Sequence, residues 1–217
     1  MDAIIPAVLT SDFTEFKNTL QKLTDSDLMF PLVEIDVMDG IFVPNKSFSE
    51  REEINSLTHN FYFELHLLVA DPEKEIATWK NVTAVKKAII AVENQEKVMG
   101  AIQLAREYDW SVGLSVNPET PLEQIDQYID HVDSVLFLTV TPGAQGNPFI
   151  ENVEEKIRKF KQLYPNMTCV VDGGINPENI ALINSWGAEY FCVGSALVKQ
   201  PDIKIAYNNL QNSLENN

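Results

Sequence analysis

Two short stretches hold the acids and the histidine best placed to act together. Glu34, Asp36 and Met38 alternate with Val33, Ile35 and Val37, and Glu64 and His66 stand two residues apart in a second β-like run. In a strand, period two puts each polar set on one face. If Val33, Ile35 and Val37 pack against helices, Glu34 and Asp36 face an interior. Asp172 ends a third such run, just before Gly173-Gly174. Isolated buried charges are costly, so Glu34, Asp36, His66 and Asp172 must be paired, protonated or metal-bound. A divalent cation is the simplest solution. The plainer alternative is that each acid hydrogen-bonds a local turn, as Asp-Gly often does. A second set of residues suits phosphate: Thr141-Pro142-Gly143-Ala144-Gln145-Gly146, Gly173-Gly174 and Gly194-Ser195. Glycine lets backbone N–H groups approach an anion closely. These loops contain no basic residue, so main-chain dipoles would supply most of the attraction.

The elements that must position these residues alternate along the chain. β-branched runs at 3–9, 32–38, 61–69, 84–92, 110–116, 134–140, 167–171 and 190–193 predict strands. Helical periodicity follows each one. Ser11 or Asp12 caps a helix to about Leu23, with Phe13, Phe16, Leu20 and Leu23 on one face. Further helices are expected at 47–57, from Asp71-Pro72 onward, and at 95–108, 121–129, 148–163 and 177–186, with a last one through about Leu210. Eight β–α pairs predict an α/β fold, a closed (β/α)8 TIM barrel, as one domain over residues 1–217. In that fold, functional groups gather at the C-terminal strand ends and phosphate sites at the last loops. Those are the positions of both residue sets.

The chain has 217 residues, 16 Lys+Arg against 32 Asp+Glu, and a formal charge of −16. That balance argues against nucleic acid and anionic membranes as partners. A small phosphorylated ligand remains compatible with it. Cys169 and Cys192 lack zinc-site spacing and lie in apolar runs, which predicts buried, inert thiols. No apolar run reaches about 18 residues, so no membrane helix is expected. Asp2 stands where a signal peptide would carry base, and the expected location is cytoplasmic.

Asp36-Val37-Met38-Asp39-Gly40-Ile41-Phe42-Val43-Pro44-Asn45 resembles the signature of ribulose-phosphate 3-epimerases. Pro6-Ala7-Val8-Leu9-Thr10-Ser11-Asp12-Phe13, Leu65-His66-Leu67-Leu68-Val69, Asn117-Pro118-Glu119-Thr120-Pro121-Leu122, Thr141-Pro142-Gly143, Val171-Asp172-Gly173-Gly174-Ile175 and Val193-Gly194-Ser195-Ala196 follow in that family's order. The resemblance implies interconversion of D-ribulose 5-phosphate and D-xylulose 5-phosphate, as in the pentose phosphate pathway. A C3 proton would leave one face and a proton return on the other. It implies that Asp36 and Asp172 do the proton work and also bind a metal, Mn²⁺, Zn²⁺, Fe²⁺ or Mg²⁺, with His66. Glu34 falls where the family has a second histidine. Its harder oxygen shifts preference towards Mn²⁺ or Mg²⁺ and away from Zn²⁺. If no metal bound, Glu34 would pair with a charged His66.

The implied substrate and phosphate contacts are Ala7, His66, Gly143, Ala144, Gln145, Gly146, Gly173, Gly174, Gly194 and Ser195. Ala7 stands where the family has serine, Ala144 where it has Phe, and Gln145 where it has glycine. Leu68 and Leu138 replace methionines that line the site. Family members are often homo-oligomers, but this chain carries no interface signature. Two other readings stay open: an epimerase of another ketose phosphate, such as a hexulose 6-phosphate, and a sugar-phosphate-binding barrel without catalysis. Related decarboxylases place Lys between two acids, whereas no Lys occurs from Leu32 to Asn45.

Overall fold

The computed structural model describes residues 3–143 and 147–215. Eight parallel strands close into one barrel in sequence order: β1 Ile4–Val8, β2 Leu32–Met38, β3 Tyr62–Leu68, β4 Val85–Ala91, β5 Ser111–Val116, β6 Ser134–Leu138, β7 Thr168–Asp172 and β8 Tyr190–Val193. The expected (β/α)8 barrel is therefore the observed fold. Outward residues Val33, Ile35 and Val37 join the large core with Phe16, Leu20 and Phe63. Inward residues Ile5, Ala7, Ile89, Leu136, Leu138, Val170 and Cys192 fill part of the barrel interior. Period two thus separates the two cores as its alternation requires.

The helices are α1 Phe13–Asp25, α2 Pro72–Trp79, α3 Val98–Glu107, α4 Val153–Leu163, α5 Ile180–Ser185 and α6 Ile203–Glu215. Asp12 caps α1 by accepting from the backbone N–H groups of Thr14 and Glu15, and Asp71 caps α2 ahead of Pro72. No helix of the described residues is long and apolar enough to cross a membrane.

Two expected helices are replaced by 3-10 turns, and those expected at 148–163 and 177–186 start later, at Val153 and Ile180. The 47–57 segment forms only a 3-10 turn, Glu52–Ser56, because its start is tied to β2. The Ser47 hydroxyl donates to Asp36 O and accepts from Met38 N, each at 2.7 Å. The 121–129 segment is two short 3-10 pieces, Leu122–Ile125 and Ile129–His131. Buried Leu122, Ile125 and Tyr128 recur every third residue, the 3-10 period. Lys156 Nζ also ties down the preceding loop by donating to the carbonyls of Asn117, Pro118 and Thr120. α4 begins at Val153 rather than 148, because Ile150 N first donates to Thr139 O at the end of β6. β8 runs into a single π-helical turn, Gly194–Val198.

Candidate active site at the barrel mouth

Register brings the acids and the histidine together. Glu34 lies opposite Glu64 and Asp36 opposite His66 across β2–β3, while Asp172 lies opposite Leu138 and Cys192 on its two neighbouring strands. β7 and β2 are separated by β8 and β1, so Asp36 and Asp172 enter from different sides of the wall. Their side chains nevertheless converge. Glu34, Asp36, His66 and Asp172 each offer one ligand atom, all within 4.8 Å of one another. His66 Nδ1 is 3.0 Å from Asp36 Oδ1 and 3.9 Å from Asp172 Oδ2. His66 thus engages the two aspartates, which displaces the alternative Glu34–His66 pairing.

Glu34 instead accepts from the Cys192 thiol, Sγ to Oε2 3.3 Å. Beneath it, Glu64 Oε2 lies 2.8 Å from Lys87 Nζ. Cys192 is buried as expected, but a polar partner faces it. Glu34 Oε1 and His66 Nε2 are buried and have no hydrogen-bond partner among the described residues. Three oxygen donors and one nitrogen, with orphaned atoms among them, fit a divalent cation.

Crowding the acids changes their proton affinity. Burial, with the charges of Asp172, Asp36 and Glu64, pushes the Glu34 carboxyl well above its usual range. Burial and the Asp36 charge raise Asp172 from 3.8 to about 7, against an opposing pull from His66. Burial alone would lower His66, but its hydrogen bond to Asp36 and the charges of Asp36 and Asp172 carry it upward. Burial, Glu34 and Glu64 hold the Cys192 thiol well above its ordinary value, so it stays protonated and able to donate. Groups whose proton affinities are pushed towards neutrality suit acid–base work.

Ala7, Asp36, His66, Leu68, Leu138, Gly143, Asp172, Gly173, Gly174, Gly194 and Ser195 all line one pocket at the mouth. Glu34 lies below it, fully buried. The expected contacts Ala144, Gln145 and Gly146 lie outside the described residues. Gly143, Gly173 and Gly174 have φ of 106°, 116° and 65°. A Cβ on Gly173 would come within 2.6 Å of Val140 Cγ2, so the loop needs glycine there for both space and φ.

Other strand-end acids take the plainer role. Asp39 accepts from the N–H groups of Ile41, Phe42 and Ala70; burial alone would raise its pKa, but these donors hold it below the usual range. Glu93 accepts from Asn117 N and Thr120 Oγ1, which shapes the loop after β5. Sequence reasoning missed several supporting residues. Thr139 donates to the carbonyls of Asp172 and Gly173, and Asn45 Nδ2 donates to Gly143 O at 2.5 Å. Asn147 lines the pocket and donates to Thr141 O. Lys87 carried one available signal, a base at an inward strand position next to the exposed Lys86.

Known proteins resemble this chain in fold and in sequence. A model of the ribulose-phosphate 3 epimerase family matches residues 3–198. The ribulose-phosphate 3-epimerase of Bacillus subtilis (strain 168) is 30% identical over 220 residues, covering 98% of this chain and 100% of that protein. That of Serratia marcescens is 31% identical over 208 residues, covering 93% and 97%. Among solved structures, KGPDC from Streptococcus mutans superposes with a TM-score of 0.72 at 11% identity, covering 98% of this chain and 97% of that one. A 3-hexulose-6-phosphate synthase gives 0.70 at 13%, covering 97% and 98%. At such identities the two structures speak to the fold alone. The sequence matches reach further, because they run through all the strands that bring Glu34, Asp36, His66 and Asp172 together, and by them the chain belongs to the ribulose-phosphate 3-epimerase family.

Proposed function

We propose that this chain interconverts D-ribulose 5-phosphate and D-xylulose 5-phosphate by two-carboxylate proton transfer at C3. The observation that carries the reading is the approach of Asp36 and Asp172 from separate parts of the wall to one point beside the glycine loops. The deprotonated aspartate takes the C3 proton, and the C–H electron pair moves into a C2–C3 enediolate. The other, protonated aspartate delivers its proton to the opposite face of C3, which inverts that centre. Asp172, held near 7, can serve in either state at neutral pH.

Glu34, Asp36, His66 and Asp172 would hold a divalent cation. When bound, it supplies electrostatic stabilisation for negative charge on substrate oxygens. Three carboxylates and one imidazole favour a hard ion such as Mn²⁺ or Mg²⁺. The phosphate would rest against Gly143, Gly173, Gly174, Gly194 and Ser195, held by main-chain N–H groups. Ala7, Leu68 and Leu138 give the sugar an apolar wall.

The test is solvent deuterium incorporation at C3 of ribulose 5-phosphate, with and without added Mn²⁺, Zn²⁺ or Fe²⁺. A hexulose 6-phosphate runs in parallel. Exchange with conversion to xylulose 5-phosphate is the expected result. Exchange only with the hexulose phosphate would move the substrate to a longer sugar, and no exchange with either would remove the epimerase reading.

A further inference from the structure

We propose that Cys192 is a positioning residue: its thiol engages Oε2 of Glu34, leaving Oε1 as the single oxygen Glu34 offers to a cation, and so sets which cation the centre prefers. The inference rests on the metal reading above. Three observations support it. Cys192 Sγ lies between two carboxylates, 3.3 Å from Glu34 Oε2 and 3.7 Å from Glu64 Oε1. The more distant carboxylate is ion-paired through its other oxygen, Glu64 Oε2, with the Lys87 ammonium at 2.8 Å. The shorter contact assigns the thiol proton to Glu34. Glu34 Oε1, meanwhile, is buried and has no hydrogen-bond partner among the described residues. The two oxygens of one carboxylate are thus in different situations, one tied down and one open.

The fold makes this arrangement rigid. Cys192 lies opposite Asp172 across β7–β8 and opposite Ile5 across β1–β8. It is 1% exposed and packs in one cluster with Ile5, Ala7 and Val170, away from bulk solvent. A carboxylate limited to one oxygen lowers the number of donors at the centre. Fewer donors suit four-coordinate Zn²⁺, whereas a carboxylate free to use both oxygens suits ions that accept more oxygen ligands. Cys192 therefore offsets part of the shift towards hard ions that Glu34 itself introduces.

The test compares wild type, Cys192→Val and Cys192→Ser. Valine fills the site with apolar atoms and no donor, and serine supplies an O–H at the same place. Calorimetric Kd values for Zn²⁺ and Mn²⁺ should show the Zn²⁺/Mn²⁺ preference of Cys192→Val moving towards Mn²⁺ by about tenfold or more, with Cys192→Ser returning towards wild type. The contact is read without metal by the S–H stretching bands of the chelated protein. Glu34→Gln should shift one of the two thiol bands and leave that of Cys169 in place. Unchanged preference in Cys192→Val with binding intact, or two unmoved bands, overturns this inference alone. Failure of wild type to bind either ion overturns the metal reading and this inference with it.

Discussion

The raised proton affinity of Asp172 makes the metal-free protein weaken as pH rises, and Asp172→Asn should remove that weakness. The folded state holds this proton with a pKa of about 7 against 3.8 when unperturbed. Below 3.8 both folded and unfolded chains are protonated, and the favourable contribution is complete. Between 3.8 and about 7 the unfolded chain has released its proton and the folded one has not, so stability falls as pH rises. Above the folded value the contribution is gone. At about 1.4 kcal/mol per unit, three units amount to about 4 kcal/mol. Only 16% of the side chain is exposed, so solvent screens little of this. It is a large share of a total stability of about 5–15 kcal/mol.

The assay is denaturant unfolding in chelator, followed by far-ultraviolet dichroism from mildly acidic to mildly alkaline pH. Asparagine is uncharged throughout, so Asp172→Asn should gain on wild type as pH rises, by several kcal/mol across the window. Glu34 adds to the difference, since Asp172 is one of the charges that raise it. His66, also raised, acts in the same sense in both proteins. Mn²⁺ added to wild type should close the gap, because it binds the deprotonated carboxylates. Parallel curves in chelator would refute the claim that burial and Asp36 hold the Asp172 proton.

Asp36→Asn should lower turnover by about 10²–10⁴-fold, with retention of wild-type rates ending its assignment. Gly173→Ala forces φ of 116° on a Cβ 2.6 Å from Val140 and should lose phosphate affinity at about 1–3 kcal/mol of stability, read by inhibition with inorganic phosphate and by unfolding. Lys87→Met leaves Glu64, 0% exposed, without its ammonium, and should destabilise by about 3–5 kcal/mol, whereas an unchanged midpoint would deny the pair its structural role. Glu34→His replaces a hard donor by imidazole and should tighten Zn²⁺ relative to Mn²⁺ in calorimetry, and an unmoved ratio would place Glu34 outside the metal shell.

The strands could be read from the sequence because alternation carries both identity and facing. Once Val33, Ile35 and Val37 pack outward, Glu34 and Asp36 have only the interior left. The helical segments were less legible where tertiary bonds compete with periodicity. Ser47 binds back to β2, and Lys156 pulls on three carbonyls, and neither is visible as a local pattern. The same divide runs through the site. That Asp36, His66 and Asp172 meet follows from strand order and strand ends alone. Which acids are engaged elsewhere does not: Asp39 and Glu93 look equally available in sequence, yet backbone N–H groups take both oxygens of Asp39 and Oε1 of Glu93.

Least legible is the column beneath the mouth. Lys87, Glu64, Cys192 and Glu34 lie on β4, β3, β8 and β2, and they meet only because the barrel closes β8 against β1. Closure sets a thiol beside Glu34, the one residue of the four-residue cluster that does not line the pocket. The resulting donor set is therefore a property of the closed barrel, and Glu34 has to be understood together with Cys192 and with the Glu64–Lys87 pair on the thiol's other side.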